Sequence, residues 1–229
     1  MNAWGSMVEL PEFGPLVWNG AKEDAVSLAL VGYGNRGEEL ADAIDRLSGV
    51  RLVAVADVWP WRLALAEKRR QARGAACRTY RTIGDLLRAE EARVDAVIVA
   101  TPDWQHADHV SECLRAGKHV YCEGELANSL EKARELVALA RGSGCLVQGG
   151  HQRRSNPRYR HAVEVVCRRA QGLGRVTHAY AQWHRGAAPF RAVSPRLSMP
   201  TQELEALGYK SMEAFLNWEW FSRKKYGLC

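Results

Sequence analysis

A chain of 229 residues with 47% hydrophobic and 25% charged side chains carries enough apolar material for a packed core, which excludes a disordered chain. No run of about 18 apolar residues occurs, which excludes a membrane-spanning helix. The net charge of +6 is spread over short clusters (Lys68-Arg69-Arg70, Arg153-Arg154, Arg168-Arg169, Arg223-Lys224-Lys225) mixed with acids such as Glu67 and Glu164, a pattern of solvated helix faces that leads us to expect neither nucleic acid nor a membrane as partner.

The N-terminal residues 1–24 read as an arm broken by Pro11, Gly14, Pro15 and Gly20. They lack the basic-then-apolar pattern of a signal peptide, so the protein is expected to be cytoplasmic, with its cysteines reduced. The 6 cysteines include no C-x-x-C pair, and no metal is expected.

A regular alternation follows. Val26–Val31 is a compact apolar strand. Asn35–Leu47 has helical spacing through Leu40, Ala43, Ile44 and Leu47. Val50–Ala56 is a second strand, and Trp61–Arg73 a helix with Pro60 at its first turn. Arg78–Tyr80 is a short strand, Ile83–Ala89 a short helix and Val94–Ala100 a buried strand. Trp104–Ala116 is a helix stopped by Gly117, His119–Cys122 a strand, Ser129–Arg141 a helix capped by Ser129, and Leu146–Gln148 a strand. Apolar strands alternating with helices predict a parallel sheet covered on both faces. The fold class is therefore α/β: a doubly wound, Rossmann-type sheet over residues 25–150. Beyond Gly150 the pattern changes. Pro157–Ala170 reads as a helix capped by Asn156, Arg175–His184 as a strand, Gly186–Pro200 as a loop and Met212–Trp220 as an apolar stripe.

Gly32-Tyr33-Gly34-Asn35-Arg36-Gly37 carries the sharpest chemistry. It follows a strand and opens a helix, the context in which G-x-G-x-x-G cradles a diphosphate. Gly32 allows the tight turn, Gly34 the close approach of a phosphate, and Gly37 close helix–strand packing. Free N–H groups at the helix start, including those of Asn35 and Arg36, favour an anion. Asp57 ends the second strand about 20 residues on, where a carboxylate accepts from a ribose 2′-OH and repels a 2′-phosphate. NAD is expected as cofactor, in preference to NADP.

The segments ALVGYGNRG, VADVWPWR, VIVATPDWQHADH, AGKHVYCEGELANSLEKARELV and QRRSNPRY, in that order, resemble the Gfo/Idh/MocA oxidoreductases, the glucose–fructose oxidoreductase and inositol dehydrogenase family. The resemblance implies an NAD(P)-binding Rossmann domain followed by a domain built on a large open sheet; by it, residues 151–229 are expected to form an incomplete second domain of α+β type serving substrate or subunit contacts, and a homo-oligomer is left open. It also implies a small sugar, cyclitol or related polyol as substrate. By the same resemblance Thr101, Pro102, Trp104 and His106 line the cofactor, and Glu123 lies near the nicotinamide ribose. Arg153 and the segment Trp183-His184-Arg185 match contacts at the cofactor–substrate boundary.

Two departures bear on turnover. The family's Glu-Lys-Pro is Glu123-Gly124-Glu125 here, so the lysine that orients or deprotonates the substrate hydroxyl is missing. The chain also stops at Cys229, ahead of the helix that supplies a catalytic Asp and His in relatives. Oxidising a secondary alcohol needs a base within about 3 Å of the hydroxyl proton. The residues left for that role are His106, His151, His184, Glu123 and Glu125. His106 and His184 are the catalytic candidates, and His106 is expected to contact the cofactor before it serves as a base. Three outcomes stay open: a dehydrogenase with impaired turnover, a NAD-binding protein without turnover, and a NAD-dependent glycosidase, since some glycosidases in the family lack the lysine.

Overall fold

The structure, a computed structural model, describes residues 25–151, 153–169, 174–175, 177–182 and 201–206. Its centre is a six-stranded parallel sheet of β1 (Val26–Val31), β2 (Val50–Ala56), β3 (Arg78–Tyr80), β4 (Ala96–Val99), β5 (His119–Glu123) and β6 (Val147–Gly150). The spatial order β3-β2-β1-β4-β5-β6 makes β1 and β4 neighbours at the point where the winding reverses. The helices between them are α1 (Asn35–Ile44), α2 (Pro60–Ala72), α3 (Ile83–Ala89), α4 (Asp103–Arg115) and α5 (Leu130–Ser143).

The apolar strands bury both faces. Leu30, Leu52 and Val55 pack on one side with Ala41, Ile44, Leu63 and Ala66 from α1 and α2. Ala29, Val31, Ala54, Ala56, Val97 and Val99 pack on the other with Leu86, Val110, Leu114 and Leu136 from α3, α4 and α5. The β2 strand carries an irregularity invisible in its composition: Leu28 pairs with Leu52, but Ala29 pairs with Ala54. The extra residue, Val53, is a bulge that advances the rest of β2 by one position against β1. Ala56 consequently ends level with Val31, and Asp57 leaves the sheet beside the first glycine turn.

Local chemistry starts and stops the helices. The Ser129 hydroxyl accepts from Lys132 N at 3.2 Å to open α5, which ends at Gly144 with φ of 68°. Thr82 opens α3 in the same way, accepting from Asp85 N at 3.0 Å. Arginines in and just past α2 pair with acids in and just past α1: Arg69 with Glu38 at 3.0 Å, Arg73 with Asp42 at 2.7 Å, and Arg70 with Asp45. The buried Glu90 carboxylate, at the end of α3, is held by Arg78 and Tyr80 of β3.

The structure corrects the reading beyond the sheet and at some boundaries. Strand β4 is shorter than Val94–Ala100, because the preceding turn bonds Val94 N to Glu90 O. The helix expected over Pro157–Ala170 is α6 (Pro157–His161), capped by Asn156, followed by a wider-turned π-helical segment at Ala162–Arg169. Residues 177–182, expected in a strand, are exposed and pair with none of the described strands. The short helix α7 (Thr201–Ala206) was not anticipated. The arm, the loop Gly186–Pro200 and the stripe Met212–Trp220 lie outside the described residues. No described helix is long and apolar enough to cross a membrane.

Candidate functional site

The glycine loop lies where β1 meets β4. Gly32 has φ of 92°, and a Cβ there would sit 2.7 Å from Ala100 O and 2.9 Å from Thr101 N, so only glycine lets the turn rest on the end of β4. A Cβ on Gly37 would sit 2.0 Å from Gly32 O, closer than any real contact, so α1 can seat itself against the loop only without a side chain there. Tyr33 is not a loop ornament: its ring is buried in the core beside α1 and α2. Helix α1 begins after Gly34 with no side-chain cap, unlike α3 and α5. Its first-turn N–H groups and positive dipole end therefore face the crevice.

Asp57 closes one side. Its Oδ2 accepts from Tyr33 N at 2.7 Å and its Oδ1 from Trp59 N at 2.9 Å, so the carboxylate ties the glycine loop to the start of α2. Burial pushes its pKa up, against the pull of Arg62 and of these two N–H groups. Arg62 lies beneath the loop, donating to Tyr33 O at 3.1 Å, and its Nη1 is 2.9 Å from where a Gly34 Cβ would stand. Sequence reasoning did not single out Arg62. The available signal was a cation in the first turn of α2, a few residues past Asp57.

Glu123 stands across the crevice at the end of β5. Its Oε1 accepts from Arg36 Nη2 at 3.1 Å and from the Tyr121 hydroxyl at 3.0 Å. Burial disfavours the charge on Arg36, but its bonds to Glu123 and Glu39 outweigh that and push the guanidinium pKa up. Tyr121 also went unremarked. Its place is legible only once β5 and β6 pair, because Gly150, opposite Glu123, has no Cβ to strike the Tyr121 hydroxyl.

His106 is buried, with its Nδ1 2.5 Å from Glu125 O and its Nε2 2.7 Å from Thr101 O. Both ring nitrogens face backbone carbonyls, so the imidazole clamps the loop after β4 to the loop after β5. Neither ring nitrogen is without a backbone carbonyl beside it. Pro102 precedes α4 and is exposed, while Trp104 lies in its first turn, half-buried. Gly124 brings no amine, and a Cβ there would lie 3.3 Å from Gly150 O. Arg153 is exposed beyond β6, donating to the Tyr159 hydroxyl at 2.6 Å and stacking on its ring. Trp183, His184 and Arg185 lie outside the described residues. The structure thus gathers Gly32, Gly34, Asn35, Arg36, Gly37, Asp57, Thr101, Pro102 and Glu123 at the carboxyl ends of β1, β2, β4 and β5.

His109, half-buried on α4, meets the Thr101 hydroxyl at 3.1 Å through Nδ1. Burial holds its pKa below the ordinary histidine value, as does the neighbouring His106, while Asp108 opposes them. A depressed folded-state pKa means that the unfolded chain takes up the proton first. Stability from a neutral His109 is then complete above about pH 6.5 and is lost as pH falls toward the folded-state value. Urea unfolding at pH 8 and pH 5 should show a smaller acid loss in His109→Gln than in the parent. Parallel losses would remove this role.

A family model described as an oxidoreductase family with an NAD-binding Rossmann fold matches residues 26–151. The chain is 36% identical over 166 residues to the inositol 2-dehydrogenase of Rubrobacter xylanophilus, covering 72% of this chain and 45% of that protein. It is 34% identical over 124 residues to glycosyl hydrolase family 109 protein 2 of Shewanella sp. strain ANA-3, covering 52% of this chain and 27% of that one. Among solved structures, scyllo-inositol dehydrogenase from Lactobacillus casei with bound NAD(H) and scyllo-inositol superposes with a TM-score of 0.57 at 26% identity. That match covers 65% of this chain and 42% of the other. The chain spans less than half the length of these relatives.

Proposed function

We propose, from the premise that this chain belongs to the Gfo/Idh/MocA family of NAD-binding oxidoreductases, that it binds NAD in preference to NADP and serves hydride transfer to or from a cyclitol- or sugar-like secondary alcohol. The observation that carries the reading is the uncapped start of α1 behind a glycine loop, with Asp57 on one flank and Glu123 on the other.

The residues fit the dinucleotide. Gly32 and Gly37 leave no Cβ between loop, helix and β4, so backbone N–H groups of Asn35 and Arg36 can reach a diphosphate. Asp57 keeps lone pairs beyond its two backbone bonds and offers them to a ribose 2′-OH, while its charge disfavours a 2′-phosphate. Thr101, Pro102 and Trp104 line the far wall, and Glu123 takes the second ribose. The bound nicotinamide would supply the hydride chemistry, and the protein positions and polarises. His106 acts here as a positioning residue, since both nitrogens are occupied by carbonyls. With glycine at position 124, the base for a substrate hydroxyl comes from Glu125, His151 or His184. Residues 25–150 form the cofactor-binding unit, and residues 151–229 contribute to substrate or subunit contacts.

Calorimetric titration of the 229-residue chain with NAD and with NADP tests this. NAD is expected to bind about tenfold more tightly, the scale of one charge-assisted hydrogen bond. Tighter NADP binding would overturn the Asp57 assignment. A second reading, glycosidase chemistry through transient oxidation, is favoured by Gly124 and by the similarity to the Shewanella protein. Net NADH accumulation on inositols supports the dehydrogenase, glycoside cleavage without net NADH supports the glycosidase, and neither supports a binding protein without turnover.

A further inference from the structure

The ion pair between Arg36 and Glu123 joins two ends of the crevice that a dinucleotide must occupy. Arg36 belongs to the first turn of α1, where the diphosphate end lies. Glu123 ends β5, two strands from β1 in the sheet. The pair therefore passes over β4 and lies across the path between diphosphate and second ribose. Glu123 is also held by Tyr121, so it keeps one partner when Arg36 leaves. Arg36 is additionally bonded to Glu39 at 2.8 Å on its own helix, which keeps the guanidinium at the mouth of the crevice.

We propose that Arg36 is a partner-exchanging latch: its guanidinium, paired with Glu123, transfers to the diphosphate when a dinucleotide enters. Tyr121 then retains Glu123 in position for the ribose. This rests on the dinucleotide reading above. Its consequence has an unusual sign. A ligand that carries the diphosphate but lacks the second ribose must break the Arg36–Glu123 pair without compensation from Glu123. Removing the Glu123 charge should therefore strengthen binding of such a ligand.

ADP and ADP-ribose are suitable probes, since only ADP-ribose carries the second ribose. In Glu123→Gln, ADP should bind about threefold more tightly than in the parent, the scale of a partly exposed ion pair. The ratio of ADP-ribose to ADP affinity should fall, and it should fall in Tyr121→Phe as well, because the positioned acceptor is lost. In an Arg36→Met background, adding Glu123→Gln should give no gain for ADP. An undiminished gain in that background, or no gain in the parent, overturns the latch, the first by assigning the effect to loss of a nearby negative charge. A ratio unmoved by Tyr121→Phe overturns the assignment of Tyr121. Failure of the parent chain to bind ADP, ADP-ribose and NAD at millimolar concentration would instead overturn the dinucleotide reading, and the latch with it.

Discussion

Replacing Gly37 by alanine is expected to abolish dinucleotide binding and to remove about 3 kcal/mol or more of stability. The added methyl would stand 2.0 Å from Gly32 O and 3.0 Å from the carbon of the same carbonyl. Both atoms are backbone, so no rotamer change relieves the overlap. Either α1 withdraws from β1, or the Gly32 turn moves off the end of β4, where it is already packed against Ala100 and Thr101. Each movement takes the first-turn N–H groups away from the diphosphate position. Urea unfolding and NAD titration of the variant measure the two effects separately. An alanine variant with parental stability and affinity would show that α1 does not seat on the loop as described. Gly34→Ala is the informative contrast, because its methyl would meet the end of a flexible Arg62 side chain at 2.9 Å and not the backbone.

Asp57→Ala is expected to weaken NAD binding about 100-fold and to cost about 2 kcal/mol of stability. Two losses combine. The ribose loses a charged acceptor, and the N–H groups of Tyr33 and Trp59, the first of them buried, lose the bonds of 2.7 and 2.9 Å that hold the loop to the start of α2. NADP affinity should fall much less, because the carboxylate that repels its 2′-phosphate is removed together with the loop tie. The proposed NAD preference should accordingly disappear. Titration of the variant with both dinucleotides reads this directly. A variant that keeps the preference would move cofactor selection to another residue, with Arg62 the nearest cation.

Strand and helix positions were legible because both periods are strong here. Val26–Val31, Val50–Ala56 and Ile83–Ala89 run as their apolar spacing predicts, and the Ser129 cap marks the start of α5. The glycine fingerprint was legible for a related reason. Two of its three glycines answer to local backbone demands, a positive φ at Gly32 and the close contact at Gly37, that any sequence entering this turn must meet. Side-chain partners were not legible in the same way. His106 follows Thr101-Pro102 in sequence and looks like a ligand contact, yet its ring is taken up by two carbonyls, one of them on the loop after β5. Arg62 and Tyr121 carry no motif of their own, and their importance comes from what folding brings beside them.

By itself the sequence determined the doubly wound sheet, the order of its elements and the place of the glycine loop. These depend on hydrophobic period and on residues adjacent in the chain. Only the tertiary structure decided that the bulge at Val53 sets Asp57 level with the glycine turn, that Arg36 reaches across β4 to Glu123, and that His106 is a clamp. Each of those depends on contacts between segments far apart in the chain, and the bulge shifts the register of β2 without leaving a mark in its uniformly apolar sequence.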